Sequence, residues 1–145
     1  MRSLQKLYLI GMMGSGKSST GRILASHLGW RFADLDEEIE KTRGLPVSAI
    51  WKRYGEQRFR QWELECMVKL AKGTEAMVVA CGGGIVTSEK ARQILKGSQS
   101  GQSRSLCVYL RASPSLLAER IWKQRRIAGT GSEKDTVHFS EAKES

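Results

Sequence analysis

The sequence predicts an α/β fold, a central parallel sheet flanked by helices, and three observations carry that prediction. Four short apolar runs alternate with helix-like stretches, the order that builds a parallel sheet with helices on its faces. The first run passes through a glycine-rich loop directly into a helical pattern. At 145 residues with 40% hydrophobic content the chain suits one core, so a single domain over residues 1–128 is expected, followed by a polar tail over 129–145.

Taken in order, Leu7 to Ile10 reads as a buried first strand. Lys17 to Leu28 repeats apolar residues at helical spacing through Ile23, Leu24 and Leu28 before Gly29 stops it. Arg31 to Asp34 reads as a second strand. Asp36 to Arg43 and Pro46 to Lys72 read as helical, with breaks near Gly44 and Gly55. Ala76 to Cys81 is the third strand, Ser88 to Leu95 a helix and Ser105 to Leu110 the fourth strand. Gly97 to Arg104 is a polar turn region, and Pro114 opens a helix reaching about Arg126. From Gly129 to Ser145 the large apolar residues are Val137 and Phe139 alone, so this tail is expected to be disordered or loosely attached.

Twenty-four Lys and Arg against 15 Asp and Glu give a formal charge of +9, which favours anionic ligands. No aromatic and basic strand motif of the sort that single-strand binders use accompanies that charge, so no nucleic-acid partner is expected. No apolar run approaches the roughly 20 residues of a membrane span, and the N-terminus enters a strand without a signal-like layout. A soluble, cytoplasmic monomer with no membrane partner is expected. Cys66, Cys81 and Cys107 lack metal-ligand spacing and read as free thiols.

Gly11, Gly16, Lys17 and Ser18 stand at the spacing G-x-x-x-x-G-K-S, which holds a triphosphate. The glycines let the backbone wrap closely, so that successive N–H groups point at phosphate oxygens. Lys17 would neutralise the β and γ phosphates, Ser18 would give its hydroxyl to Mg²⁺, and the positive end of the following helix would face the same anion. Gly11, Gly14, Ser15, Gly16, Lys17, Ser18 and Ser19 are the candidate nucleotide-binding residues.

Two further stretches reach the carboxyl ends of the strands, where ligands gather in open α/β sheets. The second strand ends in Asp34-Leu35-Asp36, and alternate residues project to the same side. The third ends in Cys81-Gly82-Gly83-Gly84, which leaves backbone N–H groups and space for a ligand.

With these residues in view, the chain resembles the shikimate kinases, whose members join a GxxGxGKS loop, a DxD strand end, a GE-x-x-FR helix and a GGG loop in this order. The four stand here at Gly11 to Ser18, Asp34 to Asp36, Gly55 to Arg60 and Gly82 to Gly84, and the resemblance covers about residues 5 to 120. It implies the P-loop kinase fold and ATP-dependent phosphorylation of the 3-hydroxyl of shikimate, with Mg²⁺, on the route to chorismate and the aromatic amino acids. ATP and shikimate are the partners it implies. By position, Lys17 and Asp36 become the catalytic residues, with Asp36 gripping the ring hydroxyls and helping to activate the accepting one. Arg60 would bind the shikimate carboxylate, and Gly82, Gly83 and Gly84 would close on the ring through backbone groups. Trp51 and Phe59 would wall the acceptor pocket, Asp34 would join Ser18 at the metal through water, and Arg120 would lie near the adenine.

Each of these residues also has an ordinary structural reading. Asp36 suits a helix N-cap before Glu37 and Glu38. Arg60 suits a solvated charge in a basic helix, and Glu63 either orients Arg60 or forms a surface ion pair. Trp30, Trp62 and Trp122 read as packing residues, His27 and His138 as structural histidines, and Cys81 as a buried inert thiol.

The family continues past this point with a lid carrying Arg-Pro-Leu-Leu, a helix with a second substrate-binding arginine and a final strand. None is found here: the expected lid arginine falls near Ile127, no Pro follows Pro114, and Arg125 and Arg126 are the substitutes at hand. The expectation is therefore MgATP binding with slow phosphoryl transfer. The alternative is a catalytically impaired nucleotide-binding paralogue or a truncated product of the same family.

Overall fold

The computed structural model describes residues 4–12, 14–97, 104–111 and 113–127. The tail over 129–145, with Val137, His138 and Phe139, lies outside these, as does most of the polar turn region after Gly97. The chain runs β1 (Leu4–Ile10), α1 (Lys17–Leu28), β2 (Arg31–Asp34), α2 (Leu35–Arg43), α3 (Val47–Tyr54), α4 (Glu56–Lys72), β3 (Met77–Ala80), α5 (Glu89–Leu95), β4 (Arg104–Tyr109) and α6 (Pro114–Ile127), with one 3-10 turn at Ile85–Thr87. The expected α/β alternation is present, and the sheet is parallel throughout in the order β2-β3-β1-β4.

The register follows from burial. β1 presents Leu7, Tyr8 and Leu9 to the core from a central position, pairing Leu7 with Val78 on one side and Leu106 on the other. β3 is buried along its whole length, as a strand covered on both faces must be. One face carries Tyr8, Val79, Cys81, Met67 and Ile94, and the other Leu7, Leu9, Val78 and Ala25. A third cluster of Ile39, Ile50, Phe59 and Trp62 ties α2, α3 and α4 together. Because the chain passes from β1 to β2 across the place that β3 later fills, the loops after β1 and β3 leave the sheet side by side, the position where ligands bind in open parallel sheets.

The packing face of α1 differs from the one apolar spacing suggests. Ile23 is 62% exposed and Leu28 44%, whereas Gly21 and Ala25 are buried. Small residues win because the helix lies close on the sheet: a Cβ at Gly21 would meet Phe32 Cε2 at 2.5 Å and Leu9 Cδ1 at 3.1 Å. Gly21→Ala is expected to lower stability by about 1–2 kcal/mol, overpacking outweighing the gain in helix propensity. A urea midpoint at or above wild type would show that the ring yields freely.

Trp122 is 56% exposed and so is not the packing residue its type suggests, whereas Trp62 is buried and Trp30 packs against the second cluster. Its helix follows β4, which with β2 forms an edge of the sheet among the described residues. Among the described residues no helix is long and apolar enough to cross a membrane.

Candidate active site

The loop after β1 turns on glycines that no other residue replaces without strain. Gly11 has φ 148°, and a Cβ there would strike the Leu110 carbonyl oxygen at 2.6 Å. Gly16, left-handed at φ 90°, starts α1 with no side chain among the described residues capping it, so the first amides of the helix remain available to an anion. Lys17 Nζ donates to the carbonyls of Gly11 at 2.7 Å and Met12 at 2.9 Å. Burial lowers the Lys17 pKa, while Asp36 and Asp34 oppose that by favouring the charged form.

A cavity of about 620 Å³ opens beside this loop. It brings together Gly14, Ser15, Gly16, Lys17, Ser18 and Ser19 with Asp34, Asp36, Gly82 and Gly83, all expected from the sequence. Thr20, Cys81 and Lys123 complete the wall. Thr20 follows the loop by one helical step and was within reach of the motif; Lys123 comes from α6, and no local signal points to it. The Cys81 thiol is buried with its pKa pushed up by desolvation, in keeping with an inert role.

Asp34 divides its carboxylate between two elements. Its Oδ1 accepts from the backbone N–H of Asp36 at 2.9 Å and of Glu37 at 3.3 Å, which caps α2, and its Oδ2 accepts from the Ser18 hydroxyl. The cap is therefore Asp34 and not Asp36, because β2 ends one residue before the helix begins. Asp36 sits in the first turn of α2, its pKa raised to about 6 by burial and then by Asp34 and Glu63, with Lys17 pulling the other way. Its Oδ1 is buried without a hydrogen-bond partner among the described residues.

Glu63 is 1% exposed, which excludes the surface ion pair. Arg60 Nη1 donates to Glu63 Oε2 at 2.8 Å, and Glu56 lies 3.5 Å from Nη2. Burial raises the Glu63 pKa against the opposing pull of Arg60. The other oxygen, Glu63 Oε1, has no hydrogen-bond partner among the described residues and faces the same spot as Asp36 Oδ1: a Cβ at Gly82 would lie 3.1 Å from the former and 3.3 Å from the latter. Thus Gly82 leaves room for two carboxylates behind the loop.

Arg60, Gly84, Trp51 and Phe59 lie outside the lining of this cavity, Gly84 next to it in the chain and Arg60 against Gly84. The guanidinium carbon is 5.5 Å from the Trp51 ring centroid and 5.7 Å from that of Phe59, distances that suit cation–π contact. Trp51 is 39% exposed, whereas Phe59 is buried in the helical cluster. A Cβ at Gly84 would fall on the guanidinium itself. Gly84→Ala is expected to push Arg60 off Glu63, weakening binding of a carboxylate ligand about tenfold or more and lowering stability by about 1–3 kcal/mol, because the buried Glu63 carboxylate loses its partner. Unchanged affinity for such a ligand would show that Arg60 does not hold it. Arg120 belongs to α6, but its side chain, like those of Arg125 and Arg126, lies outside the described ones.

The donors beside the loop suit a hard cation. The Ser18 hydroxyl and Asp34 carboxylate touch, and two oxygen ligands fit Mg²⁺, which keeps several waters and takes phosphate oxygens for the rest.

A family model described as shikimate kinase matches residues 13–144. The shikimate kinase of Thermodesulfovibrio yellowstonii is 39% identical over 118 residues, covering 81% of this chain and 64% of the relative. That of Geobacter sulfurreducens is 40% identical over 117 residues, covering 81% and 61%. Among solved structures, shikimate kinase from Acinetobacter baumannii in complex with shikimate superposes with a TM-score of 0.76 at 35% identity, over 86% of this chain and 65% of that one. The enzyme from Aquifex aeolicus superposes at 0.69 and 30% identity, over 86% and 77%. The chain thus spans a little under two thirds of the length of these curated relatives. With the glycine loop, the two aspartates and the Gly82–Gly83 segment meeting in one cavity and the family match running across most of the residues, the chain belongs to the shikimate kinase family.

Proposed function

We propose that this protein transfers the γ-phosphoryl group of ATP to the 3-hydroxyl of shikimate. The observation that carries the reading is the meeting of Asp36, a half-buried carboxylate whose pKa is raised to about 6, with Lys17 and the glycine loop in one cavity. A general base works best with a pKa near the operating pH. The arginine that would hold the acceptor's carboxylate lies next door, oriented by a buried partner.

In the step proposed, the 3-hydroxyl oxygen forms a bond to the γ-phosphorus while the bond from that phosphorus to the bridging oxygen of ADP breaks. The hydroxyl proton passes to Asp36, and the bridging electron pair leaves with ADP. Products are shikimate 3-phosphate, ADP and a proton. Lys17 and the amides at the start of α1 stabilise charge on the phosphates. Ser18 and Asp34 would hold Mg²⁺, which when bound neutralises the phosphate chain.

Support for a cytoplasmic setting comes from three free cysteines in the described residues, which suit a reducing compartment. We read the protein as a monomer whose partners are ATP and shikimate. The test is a coupled assay of ADP release with and without shikimate. Release that shikimate does not stimulate, from a chain shown to bind MgATP, would overturn the assignment.

A further inference from the structure

The cavity beside the glycine loop has one wall that neither the loop nor the strand ends supply. Lys123 reaches it from α6. Of the charged side chains on the described wall, Lys17 is positive and Asp34 and Asp36 negative, so without Lys123 the lining carries more negative than positive charge. Such a lining repels a triphosphate, which bears several negative charges of its own. Lys123 restores the balance.

Its own bonding leaves it available for that task. Lys123 Nζ pairs with Glu119 at 2.8 Å one helical turn earlier, with the two side chains 65% and 57% exposed. An exposed pair of this kind contributes little and is readily exchanged for a better anion. Lysine presents its ammonium on a flexible stem, so it can follow a phosphate without a fixed fork geometry. Lys17, by contrast, is tied to the loop carbonyls and is partly desolvated.

We propose that Lys123 is a second cation of the donor site, contacting the phosphate chain of the nucleotide together with Lys17. The inference rests on the reading of ATP as donor, and it adds a residue outside the four sequence motifs. It is specific to phosphate: Lys123 recognises the charge of the chain and not the base or the acceptor.

The experiment is calorimetry on the full chain, comparing wild type, Lys123→Gln and Lys123→Arg against MgATP and against adenosine, which has no phosphate. Lys123→Gln is expected to bind MgATP about tenfold more weakly, the loss of one charge-assisted contact, while Lys123→Arg stays within about threefold. Adenosine should bind all three alike. Raising salt from about 0.05 to 0.5 M should narrow the gap between wild type and Lys123→Gln, because the contact is partly exposed. MgATP affinity of Lys123→Gln within about twofold of wild type at low salt overturns the proposal. So does an equal loss for adenosine, which would mark a packing role for the helix. Shikimate-stimulated turnover is read on the same samples. Lys123-dependent MgATP binding without such turnover would sink the acceptor assignment and leave this inference standing, and turnover with an unaffected Lys123→Gln would do the reverse.

Discussion

Lys17→Ala is expected to lower kcat/KM for MgATP by about 100-fold or more, with the fold intact, since one charge aimed at the transferring phosphate is typically worth that much. Three features of the site favour the upper part of that range. Lys17 is the one ammonium carried by the glycine loop itself. Its pKa is lowered by burial, so its charge acts through a medium that screens less than water. And its removal leaves Asp34 and Asp36 facing a polyanion with less compensation. Lys17→Arg should rescue little, because a planar fork does not fit where a compact ammonium sits between the Gly11 and Met12 carbonyls. Steady-state kinetics with calorimetry decides the matter: unchanged MgATP binding and turnover in Lys17→Ala would place the donor site elsewhere.

Asp36→Asn separates function from stability. As the residue that would take the proton of the accepting hydroxyl, its loss is expected to lower kcat by about 10²–10⁴-fold and to weaken shikimate, with MgATP affinity within a few fold. Stability should move the other way. The folded protein raises the Asp36 pKa from 3.8 to about 6, so the native state holds this proton more tightly than the unfolded chain does. Between those pH values the native state binds more protons, and stability falls as pH rises, with the full loss reached above about pH 6. That loss is on the order of 3 kcal/mol. Asparagine removes the repulsive charge and offers an N–H to the unpartnered Glu63 Oε1 nearby. Urea unfolding of the metal-free protein from about pH 4 to 7 should show a declining stability in wild type and a flatter profile in Asp36→Asn. Lower stability at neutral pH, with equal loss of both ligands, would assign Asp36 to folding.

What the sequence made legible was whatever local pattern controls. Apolar runs located the strands, glycines marked the ends of α1, α2 and α3, and the spacing of Gly11 to Ser18 located the loop. Misreadings and open alternatives arose where tertiary placement decides. Of the two readings open for Glu63, orienting Arg60 or forming a surface ion pair, the spacing in α4 does not choose, and the close approach of the Gly82 segment decides for the first by burying the carboxylate. The cap of α2 turned on a one-residue boundary, which propensity does not resolve. Ile23 outranks Gly21 on hydrophobicity, but close helix–sheet contact selects for size. Lys123 reaches the cavity through the position of α6 relative to the loop, and that position leaves no mark on the residues around it.

The divided carboxylate of Asp34 has a spectroscopic consequence. Its two oxygens share one delocalised charge, so whatever draws on Oδ2 at the Ser18 side weakens Oδ1 as an acceptor for the amides of Asp36 and Glu37. Those two amides should act as remote reporters. Their ¹⁵N–¹H resonances and hydrogen-exchange rates are expected to respond to Ser18→Ala and to added Mg²⁺, although each amide donates to Asp34 Oδ1 and the Ser18 hydroxyl to Oδ2. Insensitivity of both resonances would mean that the helix start and the donor loop are electronically independent.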